Sequence, residues 1–333
     1  MESRGGKKLS NSRIRGTRLV AGLMFVSLVG AACGEANSAG DTGADSGGEA
    51  LAGEIAIDGS STVFPIAQAV AEDFQIENPE VKVSVGFAGT GGGFEAFCAG
   101  DTQISSASRA IEDEEAQCLE DAGIDFTEFQ VAVDGLAIVT NPNTDWVDCI
   151  TTEEMAAIYA PGSKVKNWSE VNPDWPDTEI QIYGPDPDSG TYDYFAEEVA
   201  DPDAEEPATR DDMTQSADDN VLVQGVAGDE ASIGYFGFAY FEENSDKLKD
   251  LAVDNGDSGC VMPTAETVKA NEYPLSRPLF FYVANDAMGS PEVAGFVEYW
   301  VTNAADYATA VGYIEAPEDA ASAAEEALSG LSG

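Results

Sequence analysis

Histidine is absent from all 333 residues. No Ser-His-Asp or Cys-His arrangement can therefore exist, no histidine can shuttle a proton near neutral pH, and metal binding through Cys and His is disfavoured. Basic residues are scarce too: 15 Lys plus Arg stand against 62 Asp plus Glu, for a formal net charge of −47. Such a chain lacks the basic footprint that nucleic acid and anionic lipid surfaces require. Beyond the N-terminal region the lysines are only Lys82, Lys164, Lys166, Lys247, Lys249 and Lys269. These absences point to binding rather than to enzyme chemistry, with no metal and no cofactor expected.

Long apolar runs are few, and the first comes at the start of the chain. A basic stretch, an apolar run from Leu19 to Ala32 and small residues before Cys33 read as a secretory signal over residues 1–32, too short for a spanning helix. Cys33 after Gly30, Ala31 and Ala32 has the form of a bacterial lipobox, although Gly30 stands where leucine is usual. The expectation is a lipidated Cys33 and an extracytoplasmic protein held at the cell membrane; plain secretion is the alternative. Residues 33–53 are Gly, Ala, Ser and acid without apolar period, as in a flexible tether. Losing residues 1–32 removes six basic residues and one acidic one, so the remaining chain is still more acidic.

Cysteine is also sparse. With Cys33 assigned to the anchor, Cys98, Cys118, Cys149 and Cys260 remain, an even number suited to two disulfides outside the cytoplasm. Three connectivities are open. Cys98–Cys118 with Cys149–Cys260 is preferred because the first pair brackets one short helix-and-loop segment.

Residues 54–333 are long for one core and suggest two lobes. Strand-like segments ("EIAIDG", "VKVSVGFAG", "EIQIYG", "SIGYFG", "RPLFFYVAN") alternate with helical spacing, for example at Phe64, Ala67, Val70, Ala71 and Phe74. "FTEFQVAVDGLAIVTN" is a long apolar strand candidate, "TYDYFAEEVA" a helix, residues 291–312 one or two helices, and the tail from Glu315 a solvated helix or frayed end. The alternation predicts an α/β fold with mainly parallel sheets.

Four turns share one composition: "DGSSTVFP" (58–65), "AGTGGGF" (88–94), "SASRAI" (106–111) and "PDPDSGTYDYF" (185–195). Each offers hydroxyls and small residues where helical N–H groups are unsatisfied, which is the chemistry of an oxyanion site. Any one of them could be plain capping. Four together, with Arg109 among small residues, favour an anion pocket. For Arg109 the alternative is a salt bridge to one of the many acids.

In this order, "DGSSTVFP", "GFAGTGGGFEAF", "ISSASRAI", "YGPDPDSGTYDYF", "DNVLVQGVAGDEASIGYFGFAY" and "LSRPLFFYV" resemble the phosphate-binding lipoproteins of bacterial phosphate ABC importers, from about Ile55 to Tyr307. The resemblance implies a two-lobed type II periplasmic-binding-protein fold with two hinge strands and the ligand cleft between lobes. It implies lobe 1 at 54–134 plus 280–333 and lobe 2 at 135–279, with "VAVDGLAIV" and "RPLFFYV" crossing. Carried over turn by turn, Ser60, Ser61, Thr62, Thr90, Gly91, Ser108, Ser189, Gly190 and Thr191 would bind phosphate. In the family pattern the residue after the Ser108 equivalent is a proton-accepting aspartate, and an arginine lies four residues before the Ser189 equivalent; here those positions are Arg109 and Pro185. Arg109 is then the expected counter-charge. Asp188, Asp58 and Asp134, in that order, are the candidate acceptors of the ligand's proton, with Asp188 also in the binding set.

The expected function is capture of inorganic phosphate by a monomer that delivers it to membrane permease subunits. The alternatives are a secreted phosphatase-like protein, a surface adhesion protein on the same fold, or a binder of another tetrahedral oxyanion such as sulfate. Repulsion among the excess carboxylates predicts a melting temperature that rises between about 0.1 M and about 1 M NaCl, as the screening length falls from about 10 to about 3 Å. A melt indifferent to salt refutes it.

Overall fold

Alternating apolar residues in Ala52–Gly59 (β1) bury Ile55 and Ile57 on one face. The strand begins two residues inside the stretch expected to be tether. The computed structural model describes residues 50–331 except 188, 203, 205 and 206, so the expected signal segment, Cys33, most of the tether and Asp188 lie outside the described residues. Chain order continues α1 (Phe64–Glu77), β2 (Glu80–Val85), α2 (Thr90–Ala99), β3 (Ile104–Ala107), α3 (Asp113–Ala122), β4 (Phe126–Thr140), β5 (Cys149–Thr151), α4 (Thr152–Tyr159), α5 (Trp168–Val171) and β6 (Gln181–Pro185). It ends α6 (Gly190–Phe195), β7 (Thr214–Ser216), α7 (Asp219–Gly228), β8 (Ser232–Gly237), α8 (Phe238–Glu243), β9 (Lys249–Asp250), β10 (Ala252–Asp254), α9 (Ala265–Lys269), β11 (Ser276–Ala284), α10 (Pro291–Ala310), β12 (Ile314–Glu315) and α11 (Glu318–Leu331).

The main sheet runs β2-β1-β3-β11-β4-β8-β6-β7. It is mixed, not mainly parallel as expected: β1 is parallel to β2 and β3, but β11 runs antiparallel to β3 and β4, and β4 to β8. The expected alternation counts βαβ units; β4 and β11 are long strands that pass each other in opposite directions. Residues Phe126–Gly135 of β4 pair with β11, and Leu136–Thr140 pair with β8. Every residue from Val131 to Thr140 is buried, as in a strand covered on both faces, which accounts for the apolar run.

Two large hydrophobic cores flank this crossing. One gathers Ile55, Val70, Phe74, Ala132, Leu279, Phe281 and Trp300; the other Val133, Leu136, Trp168, Phe195, Tyr235 and Leu275. In the first, α1 turns Ile66, Ala67, Val70, Ala71 and Phe74 inward, and Phe74 meets Phe296 of α10 edge-on at 5.3 Å. Burying a ring such as Phe74 is worth about 2–3 kcal/mol. A smaller cluster (Phe94, Phe97, Leu119, Tyr282) covers the opposite sheet face with α2 and α3.

Three local expectations are refined. The helix after Ser189 is α-helical only to Phe195 and widens into a π-helical turn over Ala196–Ala200. Residues Pro291–Ala310 form one helix. The acidic tail is helical, and α11 is docked rather than frayed: Ala324 is buried, and Ala327 and Leu331 pack on the first core.

Both expected disulfides are present. Cys98–Cys118 staples α2 to α3, and Cys149–Cys260 ties β5 to the loop after β10, with Cα separations of 6.1 and 5.9 Å. The sequence separations are 20 and 111 residues. Loop-closure entropy predicts that Cys98→Ser/Cys118→Ser costs about 3 kcal/mol and Cys149→Ser/Cys260→Ser about 5 kcal/mol. Urea unfolding of the two double variants checks the order; a larger loss from the shorter loop overturns it.

Candidate anion-binding site

The turn after β1 is set by Gly59, whose φ is 142° and whose Cα lies so near the backbone of Ser106 that no Cβ would fit. Ser60 N donates to Ser106 O at 2.9 Å, and Ser60 Oγ accepts from Thr62 N at 3.2 Å and Val63 N at 3.4 Å. Ser60 is thus a buried cap. Asp58 Oδ1 accepts from Gly59 N at 2.8 Å and Ala88 N at 2.9 Å and so ties the first turn to the second. Within "GTGGG", Gly93 is the glycine that packing requires, because α2 sits against Gly59 there; a Cβ on Gly91 would meet nothing.

Thr90 and Ser108 join the second and third turns: Ser108 N donates to Thr90 Oγ1 at 3.2 Å and the two hydroxyls are 3.2 Å apart. Ser189 caps α6, accepting from Thr191 N at 3.2 Å. Gly190 packs on the first turn, since a Cβ there would lie 3.2 Å from Thr62 Cα. The structure therefore brings the described parts of all four turns together, and the first and fourth meet from the two cores.

Arg109 is placed differently from its expected role. Its Nη1 and Nη2 each donate to a Glu115 oxygen at 2.8 Å, Nε faces Glu112 at 3.2 Å, and the guanidinium lies 5.9 Å from the Phe94 ring. It clamps the first turn of α3, the salt-bridge alternative.

Sequence reasoning missed Arg277. It stands on β11 opposite Asp134 of β4 and is 7% exposed. Its Nη2 donates to Thr62 Oγ1 at 2.6 Å, Nε lies 3.5 Å from Asp134 Oδ2, Nη1 lies 3.8 Å from Glu197, and Cζ sits 3.6 Å from the Tyr194 ring centroid. Its buried Nε has no hydrogen-bond partner among the described residues. The available signal was a lone charge beside Pro278 in the otherwise apolar "SRPLFFYVA". Of the candidate acceptors, Asp58 is engaged by two N–H groups, whereas Asp134 is 3% exposed beside Arg277. Burial raises the Asp134 carboxyl above the ordinary aspartate range, and the charge of Arg277 opposes that shift.

The Ser163-x-x-Lys166 spacing is not a catalytic pair, because Ser163 Oγ donates to Ala157 O and Lys166 is exposed.

Two cores joined by two strands, with hydroxyl-rich turns meeting between them, define a two-lobed binding protein of the periplasmic type. A PBP superfamily domain profile matches residues 41–304. The chain is 45% identical over 270 residues to Protein SphX of Synechocystis sp., covering 80% of this chain and 79% of that one. It is 46% identical over 259 residues to the Phosphate-binding protein PstS of Staphylococcus saprophyticus, covering 77% and 76%. The crystal structure of a possible phosphate binding protein from Planctomyces limnophilus superposes with a TM-score of 0.82 at 44% identity, covering 84% of this chain and 99% of that one. The chain belongs to the PBP superfamily, in the group that holds the SphX and PstS proteins.

Removing the Arg277 charge leaves Asp134 buried and unpaired, so Arg277→Met loses about 3–5 kcal/mol at neutral pH. An aspartate whose folded pKa is raised stabilises the fold relatively most below its unfolded pKa and loses that as pH rises through the folded value. The deficit of the variant is therefore smallest in acid and grows with pH, and adding Asp134→Asn recovers part of it. Urea unfolding at several pH values measures this; a pH-independent deficit overturns it.

Proposed function

We propose that this chain captures inorganic phosphate between its two lobes and passes it to the permease subunits of an ABC importer. The carrying observation is the buried Arg277, paired with Asp134, which reaches Thr62 from the crossing of β4 and β11 where the first and fourth turns meet. The likeness to a relative named phosphate-binding protein PstS, and to the possible phosphate binding protein from Planctomyces limnophilus, supports the same ligand. The proposed lobes are 54–134 plus 280–333 and 135–279. Ser61, Thr62, Thr90, Gly91, Ser108, Ser189, Gly190 and Thr191 supply donors, with Ser60 shaping the first turn and Arg277 and Arg109 as the cations. Arg109 joins only by leaving Glu115. Asp134 is the proposed acceptor of the ligand's proton.

The leader, the lipobox cysteine Cys33 and the two disulfides support a lipid-anchored protein outside the cytoplasm.

Sulfate matches monohydrogen phosphate in shape and charge but carries no proton. A pocket carboxylate left facing a bare oxygen can cost on the order of 10⁴-fold in affinity. Calorimetric titration with phosphate, arsenate and sulfate from pH 5 to 9 should show phosphate binding and little sulfate binding, with Arg109→Ala at least about tenfold weaker for loss of a charge-assisted contact. No phosphate heat from wild type sinks the reading. Equal sulfate affinity removes the carboxylate acceptor, and unchanged affinity in Arg109→Ala returns that residue to its role on α3.

A further inference from the structure

One contact between the first turn and α6 sets a protein carboxylate on a proposed ligand donor. Ser61 Oγ donates to Asp193 Oδ2 at 2.8 Å, between residues 132 apart in sequence. Beside it, Gly190 packs on Thr62, and Arg277 spans Thr62 and Tyr194. Ser60 Oγ and Ser189 Oγ accept from backbone N–H groups of their own turns, and Thr62 Oγ1 accepts from Arg277. The lobes are thus in contact through the protein's own groups, and the acceptor used at Ser61 is itself an oxyanion.

Building on the phosphate reading, we infer that Asp193 is an internal competitor for the anion, a carboxylate latch that holds the lobes together through Ser61 and must be displaced for the ligand to bind there. A serine hydroxyl carries one proton and donates to one acceptor at a time. A bound dianion at Ser61 and the Asp193 carboxylate also repel at that distance. Ligand binding and the Ser61–Asp193 bond are therefore exclusive. The apparent affinity is the intrinsic affinity reduced by the fraction of molecules in which the latch is shut. Asp193 so sets the affinity threshold of the site without belonging to its donor set.

The test is calorimetric titration with inorganic phosphate of wild type, Asp193→Asn, Asp193→Ala, Ser61→Ala and the Ser61→Ala/Asp193→Asn double variant, each checked by thermal melt. Replacing a charge-assisted bond by a neutral or absent one should tighten phosphate binding on the order of tenfold in both Asp193 variants. The gain should vanish when Ser61 is already alanine. In phosphate-free solution, X-ray scattering should give Asp193→Asn a larger radius of gyration than wild type. Phosphate affinity unchanged or weaker in the Asp193 variants, while wild type binds, overturns the latch and leaves the phosphate reading intact. A gain that persists without Ser61 overturns it as well. Binding by Asp193→Asn where wild type gives no heat upholds the latch, and no binding by any of the proteins sinks both.

Discussion

The guanidinium of Arg277 faces the carboxylate of Asp134 where β11 passes β4, and that buried ion pair organises the region between the cores. Strand register alone puts the two residues opposite one another. Because side chains alternate across a strand, a slip of one residue would turn the cation to the other face of the sheet. In the observed register its Nη2 reaches Thr62 of the first turn, its face lies on Tyr194 of α6, and its remaining edge turns toward Glu197. One residue thus touches a strand of the crossing, the first core's turn and the second core's helix. A buried charge persists only when paired, so Asp134 is as much a condition of this arrangement as Arg277 is.

The turns depend on each other in the same way. Asp58 bonds across to Ala88, Gly93 lets α2 close on Gly59, and Thr90 holds the amide of Ser108. Small residues are needed for two separate reasons: Gly59 and Gly93 because backbone meets backbone, and Ser60 and Ser189 because a short hydroxyl can reach back to the N–H groups of its own turn. A hydroxyl-rich turn is therefore part cap and part site. Ser60 and Ser189 are caps by their bonds, while Ser61 and Thr62 turn their hydroxyls to groups of the other core or the crossing.

Local chemistry was legible in the sequence, and pairing across long separations was not. The helical spacing of α1, the apolar run of β4, the four turns and the Cys98–Cys118 bracket all rest on neighbours or short spans, and Cys149–Cys260, 111 residues apart, follows only as the remaining pair. The partner of Arg109 lies only six residues away, yet many acids compete for it in this chain, and composition cannot choose Glu115. Arg277 and Thr62 are 215 residues apart, and Ser61 and Asp193 are 132 apart. Such contacts exist only after β4 and β11 have registered. The mixed sheet escaped for a related reason: periodicity identifies β4 and β11 as strands but carries no information about their relative direction.

For a chain of net charge −47 the proposed capture of an oxyanion looks contradictory until the distances are considered. Surface carboxylates act through water and are screened beyond about 8 Å at physiological ionic strength, whereas donors in the cleft act at hydrogen-bonding distance in a less polar setting. The relevant charges are therefore the few at the meeting of the turns: Arg277 against Asp134, Asp193 and Glu197, with Arg109 already held by Glu112 and Glu115. Their balance is negative, so an incoming anion gains little from net charge and must win by geometry, replacing a protein carboxylate on Ser61 with its own oxygen. Exchange of that kind conserves the hydrogen bond at Ser61 while changing which charge occupies it, and it makes affinity depend on the strength of a bond within the protein as directly as on the bonds to the ligand.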